Sequence, residues 1–440
     1  MTMAPIFPAM SHAHHLPKHL CFLVCLVLTA AALTTCHETS RANSPAPPSA
    51  VTVRVDAVAG MSRGGQPYFV KGAGGSGSLE QLAARGANSV RTWQTTELAT
   101  TLDQAGKLGL TVSAGIWLES ESGWFSYQNP AHCAKQAERV RKEVMLHRSH
   151  PALLAWGLGN EAEGDGTNTA FWQQLDRLAL LVRELDPDHP TFTAIAGMNP
   201  AKAAGMDAHA PHLDYVGINT YGGVTTLRKQ LDKLGWKRPW ILTEWGPLGF
   251  WESPKSTFGA PLEQTSSEKA AMLRRVYQTT ISANGGCLGS YVFVWGWKFE
   301  ATATWFGLIT HEGDTTAAAD VLQEMWSTTK PANQAPSIKD LLGVPKSSLA
   351  AGDTFHASVK AADPDGDPLV WHWAVLPERK GHDAVKRLPM PAAVSGAVVG
   401  TPGDRVTVKA PEKPGIYRLY VWVKDGNGHA ATANMPLEVR

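Results

Sequence analysis

The chain has 440 residues, with 40 basic and 39 acidic side chains and a formal charge of +1. That length exceeds one ordinary core and fits a barrel of about 250 residues followed by a module of about 100. The balanced charge gives no global field for a polyanion, so nucleic acid is excluded as an expected partner and a neutral or weakly charged substrate is favoured.

The first segment reads as an export signal over residues 1–36. A positively biased stretch, SHAHHLPKHL, precedes the apolar run CFLVCLVLTAAALTTC, which has small residues before a cysteine. An uncleaved N-terminal anchor is the alternative. Leu33, Thr34, Thr35 and Cys36 resemble the lipobox of bacterial lipoproteins, in which the cysteine carries the lipid, although Thr35 departs from the usual Gly, Ala or Ser. The expected location is therefore the cell envelope, as an outer-membrane lipoprotein or a periplasmic protein, with the lipid giving membrane association. Residues 37–50, rich in Pro, Ser and Ala, read as a flexible tether. Beyond the signal only Cys133 and Cys287 remain. They lack metal-site spacing, and an oxidising compartment permits either a disulfide or two buried thiols.

Residues 51–330 alternate strand-like and helix-like stretches. YFVKGAG, ANSVRTW, LTVSAGIWLE, ALLAWGLGNE, TFTAIAG, LDYVGINTY, PWILTEWG and GSYVFVWGW are the strand candidates. Between them lie helical patterns such as TAFWQQLDRLALLVRELD, where Trp172, Leu175, Ala179 and Val182 recur at helical spacing as a packing face. Eight strands with intervening helices predict an α/β fold, a (β/α)8 TIM barrel. A doubly wound open sheet is the alternative, but GAGGSGS lacks the register of a phosphate-binding glycine loop. Its glycines suit backbone passing close to a pocket. From residue 331 to 440 the pattern changes to period-two segments separated by Gly, Pro and Asp turns, which predicts a small all-β immunoglobulin-like sandwich.

Two carboxylates stand out. The apolar strand Ala152 to Trp156 leads into Asn160 and Glu161, and Ile241 and Leu242 lead to Glu244. Catalytic groups of a barrel sit at the C-terminal ends of its strands. A pair of carboxyl groups there is what glycosidic cleavage needs, one protonated to expel the leaving oxygen and one ionised to attack the anomeric carbon. The two glutamates are 83 positions apart. That leaves room for three strand–helix repeats and puts them on strands four and seven. A single glutamate after an apolar run is ordinarily a solvated strand end. Glu163 reads as such a surface residue, whereas Glu119, ending strand three, is a candidate subsite residue, with Glu121 ranked behind it.

The motifs GQPYFVKG, GANSVRTW, WGLGNEAEG, YVGINTYGG, WILTEWG and VFVWGWKFE, in this order, resemble the retaining glycoside hydrolases with TIM barrels, especially the catalytic domains of glycoside hydrolase family 2. The resemblance spans about Gly65 to Trp326 and implies a retaining β-glycosidase or, with the same residues, a transglycosylase. It makes Glu161 the acid/base and Glu244 the nucleophile. It also implies that Asn160 binds the substrate 2-hydroxyl, that Arg91 orients Glu244 and that Tyr221 donates a hydrogen bond to it. Trp295, with Trp297 as the rival, would form the aromatic floor beside the reacting sugar. The segment AIAGMNP lacks the histidine pair that many family 2 enzymes carry, which speaks against galactosidase or glucuronidase specificity.

Of the 16 tryptophans, Trp117, Trp124, Trp251 and Trp305 fall in expected mouth loops, where indole faces can carry sugar rings, and Phe125 and Phe250 accompany them. Long loops favour an oligo- or polysaccharide over a disaccharide, and the expected substrate is a glucan-like chain. No cofactor is expected in the barrel. In the C-terminal region, which resembles PKD and cadherin-like modules, Asp363, Asp365 and Asp367 alternate at a spacing that suits calcium or a tight Asp-Gly turn. Trp371 and Trp373 share one strand face and read as core. The rival function is a noncatalytic envelope protein that binds carbohydrate on a decayed barrel.

Overall fold

A computed structural model describes residues 49–283, 285–379 and 389–440, so the export signal, the lipobox and residues 37–48 of the tether lie outside the described residues. Val53–Asp56, Gly60–Arg63 and Gln66–Pro67 form a small antiparallel sheet ahead of the barrel. Its Val53 and Met61 pack with Leu154, Phe192, Tyr215, Ile241 and Tyr291, closing one end of the barrel interior.

Eight parallel strands then close on themselves: Val70–Gly75, Ser89–Arg91, Thr111–Ile116, Leu153–Asn160, Thr191–Ala196, Tyr215–Asn219, Trp240–Trp245 and Cys287–Trp295. These are the eight strands expected from the sequence, and the open-sheet alternative falls. Strand four is buried along all but its last residue, and strand seven along its whole length. Such near-continuous apolar runs mark strands covered on both faces.

Local chemistry sets the helix limits. Asn129 caps the helix Pro130–His147 by accepting from Ala131 N, with Pro130 pre-set at the first turn. Thr265 and Glu268 form a reciprocal capping box on Ser266–Val276. In Thr169–Leu185, Trp172, Leu175, Ala179 and Val182 are buried as the periodicity requires, and Phe171 and Leu178 join them. Among the described residues no helix is long and apolar enough to cross a membrane.

The C-terminal region is all-β. One antiparallel sheet orders Thr354–Ser358, Arg405–Lys409 and Val398–Val399, and a second orders Val370–Pro377, Gly415–Lys424 and Ala430–Val439. They enclose their own core around Phe355, Trp373, Val375, Val408, Leu419 and Val421, with Trp371 packed at its edge. Barrel and sheets form one compact unit, sharing a cluster of Phe299 and Ala303 with Leu376, Tyr420 and Trp422. Cys133 and Cys287 are buried free thiols, which leaves no disulfide between them.

Candidate active site

The mouth of the barrel opens into a cleft of about 1570 Å³. Gly75, Ser76 and Gly77 line it, so the glycine-rich segment does bring backbone to the pocket. Gly75 is obligatory there: its φ is +148°, and a Cβ would lie 1.9 Å from the Trp295 carbonyl oxygen.

Glu244, at the end of strand seven, is 8 % exposed and faces this cleft. Its Oε1 accepts from Arg91 Nη1 at 3.1 Å and from Trp93 Nε1 at 2.6 Å, and its Oε2 accepts from Tyr221 Oη at 3.0 Å. Burial and the neighbouring Glu244 charge hold the Tyr221 phenol well above its ordinary pKa. It therefore stays a donor.

Glu161 projects into the open cleft from just beyond strand four, on a left-handed backbone with φ +52°. A non-glycine residue held in that region marks a position fixed by its surroundings. Its N–H donates to Ala194 O at 2.8 Å. The surrounding cleft walls desolvate its carboxyl and, with the Glu244 and Glu163 charges, raise its pKa. A hydrogen bond from Asn219 and the Arg91 charge act in the opposite sense. The residue stays exposed on the cleft.

A continuous polar chain joins the two glutamates. Asn219 Nδ2 donates to Glu161 Oε1 at 2.8 Å and to Asn160 Oδ1 at 3.1 Å, and Arg91 Nη2 donates to that same Asn160 oxygen at 2.7 Å while Nη1 holds Glu244. Thr243 Oγ1 fixes the Asn219 amide by donating to its Oδ1 at 2.7 Å. With Asn160 Oδ1 occupied in this way, its amide N–H groups are the part left to meet a substrate hydroxyl.

Thus Glu161, Glu244, Asn160, Arg91 and Tyr221 come together in one cleft, with Trp117, Trp251 and Trp297 on its walls. Trp117 and Trp251 expose 49 % and 54 % of their surfaces. Phe250 also lines the cleft. Trp124 is exposed but packs edge-on to Phe125, which is buried.

Four expectations need correction. Trp295 is 1 % exposed and donates its Nε1 to Ser78 O, within the core between strands and helices. The ladder to strand one shifts register between Phe293 and Trp295, so the two-residue alternation that would have sent both side chains inward is broken. Phe293 and Trp297 form the wall instead. Trp305 is also buried, with Nε1 on Leu248 O, and packs beneath Phe250. Glu119 turns away to Arg139 and Gln136 of the neighbouring helix, at 2.5 and 2.8 Å. Glu163 is not surface: it is 4 % exposed and pairs with buried Lys202 at 2.7 Å.

Two site residues escaped the sequence reading. Trp93 lies two positions beyond Arg91 at the end of strand two, and the VRTW motif carried the signal. Asn219 closes strand six in GINTY, where a buried amide at a strand end was the available clue.

In the C-terminal region, carboxylate oxygens of Asp363, Asp367 and Asp425 lie within 4.8 Å of one another, a set that can hold a metal ion. Asp365 is not part of it, because its carboxylate accepts from Gln334 N. Asp425, 58 positions beyond Asp367, replaces it.

Residues 78–259 match the model of the TIM barrel domain of glycosyl hydrolases family 2, in agreement with the closed parallel barrel. Among solved structures, the chain is similar to Bacteroides uniformis beta-glucuronidase 2 covalently bound to cyclophellitol-6-carboxylate aziridine. The identity is 15 % and the TM-score 0.51, over 89 % of this chain and 48 % of that one. It is also similar to a beta-D-glucuronidase from Dictyoglomus thermophilum, at 18 % identity and a TM-score of 0.50, over 63 % of this chain and 54 % of that one. These likenesses establish a common fold. The chain spans about half the length of the solved proteins it matches. No curated protein matches it.

Proposed function

We propose that the protein is a retaining β-glycosidase acting on a neutral, glucan-like oligo- or polysaccharide. The observation that carries this reading is the unequal treatment of two carboxyl groups on one cleft: Glu161 is raised in pKa, while Glu244 receives donors from Arg91, Trp93 and Tyr221. In this reading Glu161 begins protonated and gives its proton to the leaving oxygen as Glu244 attacks the anomeric carbon. Ester formation removes the Glu244 charge, one of the causes that raise the Glu161 pKa. Glu161 then becomes a better base for activating the incoming water. Asn160 would donate to the 2-hydroxyl, a contact that strengthens in the transition state.

A neutral sugar is supported by the charges at hand. Among the described lining residues the cations are Arg91 and Lys298, and each is already paired, with Glu244 and Glu300 respectively. Among those described residues a uronate would meet no free cation. Trp117 and Trp251 follow strands three and seven, four places apart in the ring, so platforms flank the reacting pair on both sides. That arrangement suits a chain longer than a disaccharide. An acceptor sugar seated on one platform would compete with water for the glycosyl-enzyme, which makes transglycosylation the second reading.

Export and lipid anchoring at Cys36 place this activity in the cell envelope in the same reading. The all-oxygen set of Asp363, Asp367 and Asp425 suits calcium in a structural role away from the chemistry.

The test is product analysis on β-1,2-, β-1,3-, β-1,4- and β-1,6-linked glucans, mannan, galactan and an aryl β-glucuronide, comparing wild type with Glu244→Gln. Cleavage of one neutral polymer, lost in the variant, is the expected result, and longer products would identify transfer. Turnover of the glucuronide alone would overturn the neutral-sugar reading, and saccharide binding without turnover would favour a binding protein.

A further inference from the structure

The loop after strand eight supplies Trp297, Lys298, Phe299 and Glu300 to one wall of the cleft, yet the barrel does not hold that loop alone. Phe299 and Ala303 are buried against Leu376, Tyr420 and Trp422 of the C-terminal sheets, with Trp297 packed on the same cluster. Ala303 N donates to Tyr420 Oη at 3.4 Å, and Ala303 O receives Trp297 Nε1 at 2.8 Å. His311 stands between the rings of Trp297 and Trp422, with centroids 6.1 and 6.0 Å away.

A buried polar network fastens the far end of the same loop. Arg418, on the strand Gly415–Lys424, is fully buried. It reaches Glu378 at 2.5 Å, Asn434 Oδ1 at 2.7 Å and Pro261 O, in the loop after strand seven, at 2.8 Å. Asn434 continues the chain to Glu263 Oε2 at 2.7 Å and Thr304 Oγ1 at 3.0 Å. Glu263 in turn accepts from Thr302, Thr304 and Lys269. A spacer domain needs no such contact, whereas a buried guanidinium with every carboxylate and carbonyl partner in place specifies one arrangement of the groups around it.

We propose that the C-terminal β region is a working part of the cleft: through Tyr420, Trp422 and Arg418 it fixes residues 297–304 and thereby sets affinity for the saccharide. These three are positioning residues, since none touches the reacting atoms. The proposal rests on the glycosidase reading for its kinetic consequence but not for its structural one.

The test compares Trp422→Ala with Val408→Ala, a truncation in the other C-terminal sheet that is equally a core change and leaves the 297–304 contacts alone. Hydrogen exchange is measured on the ligand-free full chain, and KM and kcat with hexasaccharides of β-1,2-, β-1,3-, β-1,4- and β-1,6-linked glucose. Trp422→Ala is expected to speed exchange of residues 297–304 and to raise KM about ten-fold with kcat changed far less, because uniform binding lost from a cleft wall appears in KM and not in kcat. Val408→Ala is expected to lower Tm and leave both readouts at wild-type values. Equal effects from the two variants, or wild-type exchange and KM in Trp422→Ala, would overturn the proposal. If Trp422→Ala does not fold, Tyr420→Phe takes its place: it removes only the hydroxyl on Ala303, and faster exchange in 297–304 is required of it. Should wild type cleave none of the hexasaccharides, the glucan reading fails, while the exchange comparison still decides whether the C-terminal region holds the wall.

Discussion

Trp93 and Arg91 donate to the same oxygen of Glu244, the indole at 2.6 Å and the guanidinium at 3.1 Å, with the guanidinium carbon 5.3 Å from the indole centroid. Arg91 ends strand two and Trp93 follows it by two residues, so a single backbone segment aims both at the carboxylate.

Trp93→Phe keeps the ring and deletes the N–H. A hydrogen bond to a charged group contributes about 1.5–3 kcal/mol, so kcat/KM on the preferred glucan should fall roughly ten- to hundred-fold. Folding should be nearly unaffected. Steady-state kinetics decide it, and a loss below about three-fold would mean that Arg91 and Tyr221 suffice.

Removing the acid/base separates the two half-reactions. Glu161→Ala should lose roughly 10²- to 10⁴-fold in activity on an unactivated glucan, with a much smaller loss on an aryl glycoside whose leaving group needs no proton. Sodium azide should restore turnover of the aryl substrate and yield a β-glycosyl azide, detectable by NMR. An α-azide would falsify the retaining assignment.

In the proposed mechanism Glu161 gives its proton to the leaving oxygen, so the alkaline limb of the pH profile should report Glu161. Asn219 lowers the Glu161 pKa, whereas Glu244 raises it. Asn219→Ala should therefore move the limb to higher pH. In Glu244→Gln, carboxyl titration followed by NMR should find Glu161 shifted down toward the ordinary range. A limb that stays in place in Asn219→Ala assigns that ionisation to another group.

Lys202 and Glu163 are an ion pair with side chains 4 % and 1 % exposed, and Lys202 also donates to the carbonyls of Ala196 and Gly197, the latter two lining the cleft. Lys202→Met leaves the Glu163 charge buried alone. Such a change costs about 3–5 kcal/mol, readable as a lower midpoint in urea unfolding at neutral pH. A shift of less than about 1 kcal/mol would show that water or a rearranged backbone replaces the ammonium.

Arg139→Met provides the contrast. Arg139 and Glu119 do not line the cleft; the arginine side chain is 40 % exposed and also donates to the Trp117 backbone carbonyl at 2.8 Å. Its loss should cost at most about 1 kcal/mol and leave kcat/KM at the wild-type value. A large kinetic effect would return Glu119 to the candidate subsite residues.

The sequence alone determined the barrel, because its strands are short, largely apolar runs and its longer helices repeat a buried face every three or four positions. It also singled out Glu161 and Glu244 as carboxylates at the ends of two apolar strands, while the resemblance to family 2 catalytic domains implied Asn160, Arg91 and Tyr221 beside them. Tertiary structure decided what depends on contacts between distant segments. Trp295 left the cleft because the ladder slips a register beside strand one. Glu163 became buried because Lys202 arrives from a later helix, and Asp425 replaced Asp365 because two turns far apart in sequence meet. The hold of Arg418 and Trp422 on the cleft wall is of the same kind. Period and turn chemistry are local properties of the chain, whereas which charge is desolvated and which ring is covered are settled only when the pieces pack.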